Sequence, residues 1–94
     1  MSKKLLVVED SLAIAKIIQQ IAESLNYDVT VAASLTEVKG ILEHKNDFYA
    51  ATLDYSLPDT NGEELLSYIK KEHPETEVVI ISGQEDISTA VELL

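Results

Sequence analysis

The chain has no cysteine, which excludes a disulfide framework and a thiolate metal site. It has no arginine either, and seven lysines face seventeen acids for a net charge of −10. Phosphate backbones and anionic lipid repel such a segment, so binding to nucleic acid or to a membrane surface is disfavoured. Long apolar runs are also missing. The opening "MSKKLLVVED" carries lysines, but acids follow after only four apolar residues. That stretch is too short for a signal-peptide core or a membrane span, and a soluble cytoplasmic protein is expected. Linkers, sequence repeats and low-complexity tracts are absent, so residues 1–94 read as one small domain. The apolar fraction of 46% is ordinary for a globular protein. The acid excess raises the local concentration of cations.

What is present is an alternation of short β-rich runs with longer helical periods. "KLLVVE" (4–9) is a continuous apolar run ended by acids, as expected of a strand covered on both faces. From Ser11 to Leu25 the period changes: Ile14, Ile17, Ile18, Ile21, Ala22 and Leu25 fall in a helical stripe about 140° wide. Asn26 supplies a left-handed stop. "DVTVAA" (28–33) is a second strand. "SLTE" then forms a capping box, Ser34 to Glu37, opening a helix to about residue 45. "FYAATLD" (48–54) is the third strand. "TNGEELLSYIKKEH" is a helix stopped at His73-Pro74, because the residue before proline is biased away from helix. "EVVIIS" (77–82) is the fourth strand, and "EDISTAVELL" begins a fourth helix. Four βα repeats imply a parallel sheet with helices on both faces.

In an open α/β sheet, ligands bind beyond the carboxyl ends of the strands, where the strand order reverses. Glu9 and Asp10 end the first strand and Asp54 ends the third. In a flavodoxin-like order these strands are neighbours, so three carboxylates converge on one crevice. Like charges that close raise a pKa unless a cation intervenes, and Mg²⁺ suits a few carboxylates plus waters and a phosphoryl oxygen. The plainer reading is that an acid after a strand caps a helix or sits in a solvated loop, and Asp10 could simply start the first helix. Ser82-Gly83 reads first as a turn, and Leu57-Pro58 and Gly62 as loop chemistry, with Gly62 permitting a tight lead into the third helix.

"LLVVEDS", "LDYSLPDTNGEELL" and "VVIISGQED", in this order along the whole chain, closely resemble response-regulator receiver domains of two-component signalling. The combination is far more specific than any one part. It implies a flavodoxin-like doubly wound sheet of order 2-1-3-4. Asp54 would be the phosphoacceptor, taking a phosphoryl group from a sensor histidine kinase or phosphotransfer domain to form an aspartyl phosphate. Asp10, Asp54 and the backbone carbonyl of Ser56 would ligate Mg²⁺, with Glu9 acting through bound water. Ser82 matches the switch hydroxyl that hydrogen-bonds the phosphoryl group, and Ser56 and Gln84 match positions that tune the lifetime of the phosphorylated form. Such a domain is a phosphoprotein of signal transduction and a phosphorelay partner, and no turnover enzyme. Leu12, apolar on the polar face of the first helix, is either a partner contact or a solitary exposed leucine.

The chain departs from the family by stopping inside the fourth βα unit, so the family's fifth strand, its lysine and its aromatic switch residue have no counterpart. Lys70 and Lys71 lie in the third helix and are not assumed to substitute. Impaired phosphorylation is expected, since a positioned cation commonly contributes orders of magnitude. Two alternatives stay open: a non-phosphorylated receiver-like dimerisation module, and a Mg²⁺-dependent phosphatase of the haloacid dehalogenase type. The latter wants a second aspartate two residues on, where this chain has Ser56. The apolar run 78–81 would be an exposed sheet edge, a template for another chain. A homodimer or swapped oligomer is therefore expected by light scattering, and a monodisperse monomer would count against it.

Overall fold

A computed structural model describes residues 3–45, 47–54 and 56–81, with Ser56 described by its backbone alone. The elements are β1 (Lys3–Val8), α1 (Leu12–Ser24), β2 (Tyr27–Ala32), α2 (Leu35–His44), β3 (Ala50–Asp54), β4 (Ser56–Leu57), β5 (Thr60–Asn61), α3 (Gly62–Glu72) and β6 (Glu77–Ile81). The main sheet runs β2-β1-β3-β6, every pair parallel. β6 is the fourth strand of the sequence reading, so the expected order 2-1-3-4 holds. The fourth helix, Ser82 and Gln84 lie outside the described residues.

The sheet is covered on both faces because β1 is apolar at every inward position. Leu6 and Val8 join Leu53, Val38, Leu65 and Ile69 in one core, under α2 and α3. Leu5 and Val7 join Ala15, Ile18, Ala22 and Ile81 in the other, under α1. Strand alternation sends neighbouring side chains to opposite faces, so a continuous apolar run is what a doubly covered strand requires.

Local signals account for the helix limits. Ser11, Ser34 and Asn61 are the N-caps of α1, α2 and α3, each accepting from the backbone N–H three residues on. Asn26 has φ 69°, the left-handed conformation expected of it after α1. His73 is the C-cap of α3, directly before Pro74. α3 begins at Gly62 and not at Thr60, because Thr60 and Asn61 pair back on Ser56 and Leu57 as a two-stranded antiparallel ribbon. Gly62 is buried and no described glycine has positive φ, so the tight lead into α3 is not a left-handed turn.

The stripe read on α1 is rotated in the structure. Its buried residues are Ala15, Ile18 and Ala22, whereas Ile17 and Leu25 are 46% and 50% exposed. The two alanines let the helix lie close on the sheet, and the bulkier isoleucine edge is displaced sideways. Periodicity weighted by hydrophobicity favours the bulky edge; close approach favours the small residues.

Among the described residues, one buried side-chain polar atom has no partner. Thr52 is 1% exposed, between Val7 and Val79 in register, and its Oγ1 makes no hydrogen bond. An unsatisfied buried hydroxyl costs about 1–3 kcal/mol. Thr52→Val is expected to stabilise the fold by about 1 kcal/mol, read as a higher urea midpoint at unchanged m. A lower midpoint would show that the hydroxyl contributes an interaction.

Candidate functional site

The pairing of β1 with β3 places Val8 opposite Leu53, so the next residues, Glu9 and Asp54, stand side by side at the carboxyl end of the sheet. Glu9 prolongs the β1 ladder by one bond, its N–H donating to the Ala32 carbonyl at 2.9 Å. Asp10 follows in the short link to α1. Ligand oxygens of Glu9, Asp10 and Asp54 all lie within 4.8 Å of one another. The three acids that the sequence placed at two strand ends are therefore brought to one point of the carboxyl rim.

Their environments differ. Glu9 is buried, Asp54 half-buried and Asp10 exposed. Glu9 Oε2 accepts the Ser11 N–H at 3.0 Å, which orients the carboxylate beneath the N-terminus of α1. Burial pushes the Glu9 carboxyl up from 4.5 to about 7; the Ser11 bond opposes this, and the carboxylates of Asp54 and Asp10 add to it. Glu9 thus feels the lack of a compensating positive charge. Three hard oxygen donors at this spacing, one of them buried and driven towards its neutral form, fit a divalent cation of the Mg²⁺ class.

The remaining expected residues are placed unevenly. Ser56 begins β4, pairing with Asn61, so its backbone follows Asp54 at the same rim. Ser82 and Gln84 fall outside the described residues. Lys70 and Lys71 are in the last turn of α3, which leads to the start of β6, and so stand at the opposite rim from Asp54. Leu12 is 71% exposed on the first turn of α1, beside the acids.

One residue near the site escaped the sequence reading. Asp59 Oδ1 accepts the Leu35 N–H at 2.8 Å, and its Oδ2 accepts the Thr36 N–H at 3.1 Å and the Thr36 hydroxyl at 2.9 Å. These donors, the Leu35 N–H foremost, hold its carboxyl below the usual range. Its partners are more than twenty residues upstream, so Pro58-Asp59 reads locally as a turn and nothing in the spacing marks it.

An open parallel α/β sheet with an acidic crevice between its two central strands defines a doubly wound, flavodoxin-like domain that can hold a divalent cation. The profile of the response regulator receiver domain family matches residues 5–94, and the chain belongs to that family. It is similar to the response regulator protein PilR of Pseudomonas aeruginosa, 28% identical over 98% of this chain and 20% of that protein. It is also similar to the photosynthetic apparatus regulatory protein RegA of Rhodobacter capsulatus, 28% identical over 95% of this chain and 48% of RegA. The chain thus spans less than half the length of either relative. A CheY-like receiver domain from Methanospirillum hungatei superimposes with a TM-score of 0.81 at 30% identity, over 99% of this chain and 75% of that one. A receiver domain from Clostridium thermocellum gives 0.78 at 29% identity, over 97% and 73%. Among the described residues, no helix is long and apolar enough to cross a membrane.

The Glu9 shift has a consequence for stability. The folded state keeps on Glu9 a proton that the unfolded chain releases above pH 4.5, so this contribution is complete below 4.5 and is lost as pH rises towards about 7. With chelator present, the melting temperature is expected to fall between about pH 5 and about pH 7.5, and Glu9→Gln to remove most of that fall. Parallel profiles for the two proteins would contradict the shift.

Proposed function

We propose that this chain is a phosphoacceptor receiver domain in which Asp54 takes a phosphoryl group from a phosphohistidine of a sensor histidine kinase or phosphotransfer domain. The observation that carries the reading is the convergence of Glu9, Asp10 and Asp54 within 4.8 Å at the carboxyl rim of β1 and β3. A carboxylate oxygen of Asp54 attacks phosphorus, the P–N bond to the donor imidazole breaks, and an acyl phosphate forms on the aspartate. The imidazole leaves with the electron pair of that bond.

The chain's part is positioning and charge. β3 presents Asp54 half-buried at the strand end, so its backbone position is fixed by the sheet while its carboxylate remains open to a partner. Asp10, Asp54 and the Ser56 backbone carbonyl would hold Mg²⁺ directly, with Glu9 acting through water. When bound, Mg²⁺ neutralises the phosphoryl oxygens and the crowded carboxylates. Loss of the Glu9 proton accompanies filling of the site, so affinity rises as pH approaches 7 from below. The Ser82 hydroxyl is proposed as the group that answers the new anion and biases a two-state shift. Leu12 belongs to the surface that the phosphodonor would approach. A cytoplasmic location goes with this reading.

Ser56, two residues after Asp54, stands where a phosphatase of the haloacid dehalogenase type needs its second aspartate, and acid–base turnover at that position is not supported. Incubation with acetyl phosphate and Mg²⁺ is expected to add the mass of one phosphoryl group. Chelator or Asp54→Asn is expected to abolish the gain. No mass gain in the unsubstituted chain, or an undiminished gain in Asp54→Asn, would overturn the proposal.

A further inference from the structure

The β4–β5 ribbon begins two residues after Asp54, and it is too small to hold itself. It pairs only Ser56 with Asn61 and Leu57 with Thr60, leaving Pro58 and Asp59 as its turn. An isolated ribbon, even a long one, is marginal in water. Its base is anchored twice: Leu57 is buried in the core under α2 and α3, and the Asn61 side chain accepts the Glu64 N–H at 2.8 Å, capping α3. Its turn is anchored once, through the Asp59 carboxylate on the first turn of α2.

That anchor does more than cap a helix. Ser34 already supplies the local cap, accepting the Glu37 N–H at 3.1 Å, and the Val38 N–H reaches the Ser34 carbonyl at 3.1 Å. Asp59 takes the donors of Leu35 and Thr36, so the N–H groups of Leu35, Thr36 and Glu37 are all satisfied. The Thr36 N–H is exposed and water can serve it, whereas the Leu35 N–H is partly buried. The Asp59 carboxylate adds a polar tie between the ribbon's turn and α2 to the apolar packing of Leu57 against Leu35, Val38 and Leu42.

We propose that Asp59 is a positioning residue of the cation site: by tying the ribbon's turn to α2, it holds the Ser56 backbone in place to complete the ligand set. The inference rests on the Mg²⁺ reading above and adds a residue to it. Reciprocity then requires that whatever tightens the tie also tightens the cation, and that filling the site strengthens the tie.

Mg²⁺ titration of four proteins tests this, followed by amide shifts of Glu9, Asp10 and Asp54 and by calorimetry. Asp59→Ala is expected to raise the Mg²⁺ Kd about fivefold or more. Asp59→Asn keeps one acceptor oxygen and is expected to fall between Asp59→Ala and the unsubstituted chain. Ser34→Ala removes the other cap of the same helix; it is expected to lower the melting temperature and leave the Kd unchanged. An Asp59→Ala protein that melts lower but binds Mg²⁺ as the unsubstituted chain does would make Asp59 a cap alone and overturn the inference. If Asp59→Ala does not fold, Asp59→Asn with unchanged Kd overturns it equally. No Mg²⁺ response in the unsubstituted chain overturns the functional reading itself, and this inference with it.

Discussion

Three carboxylates crowded at one rim are the constraint around which the domain is arranged. Left to themselves they would move apart into water, and an acid as buried as Glu9 is uncommon unless it is paired. The adjacency of β1 and β3 prevents that separation: once Val8 stands opposite Leu53, Glu9 and Asp54 have no choice of neighbour. The adjacency is in turn secured by Leu5, Leu6, Val7 and Val8, all essentially inaccessible to solvent and divided between two cores. Burial of that apolar run supplies the favourable free energy against which the electrostatic cost at its end is set.

The same rim collects the starts of all three described helices. Ser11, Ser34 and Asn61 cap them there, and the N-terminal ends of their dipoles lie on the side of the acids. The Ser11 N–H is already used on Glu9. The start of α1 thus offsets part of the like-charge repulsion at Glu9, in a chain with seventeen acids and seven lysines. The lysines of α3 fall at the far rim because a helix that returns the chain to the next parallel strand must end where that strand begins.

Much of this was legible because it depends on neighbours in sequence. The Ser34 cap, the left-handed Asn26 and the stop before Pro74 each act over a few residues, and the alternation of periods follows from strand and helix geometry. The α1 face was read less well. Its hydrophobic period points to Ile17 and Leu25, yet Ala15 and Ala22 face the sheet, since close packing rewards small side chains that a hydrophobicity scale ranks low. The β4–β5 ribbon was missed, Leu57-Pro58 being read as loop and Thr60-Asn61 as the start of α3, because pairs of two residues carry no periodic signal.

The amino-acid order by itself determined the strand and helix order, the covered sheet and the identity of the acids at the strand ends, because each follows from local period, capping chemistry and apolar runs. Only the tertiary structure decided that Glu9 is buried and Asp10 exposed, that Thr52 has no partner, and that Asp59 reaches α2. Those outcomes depend on which distant backbone groups come within hydrogen-bonding distance and on how completely other elements exclude water. Neither is written in the spacing of residues along one chain.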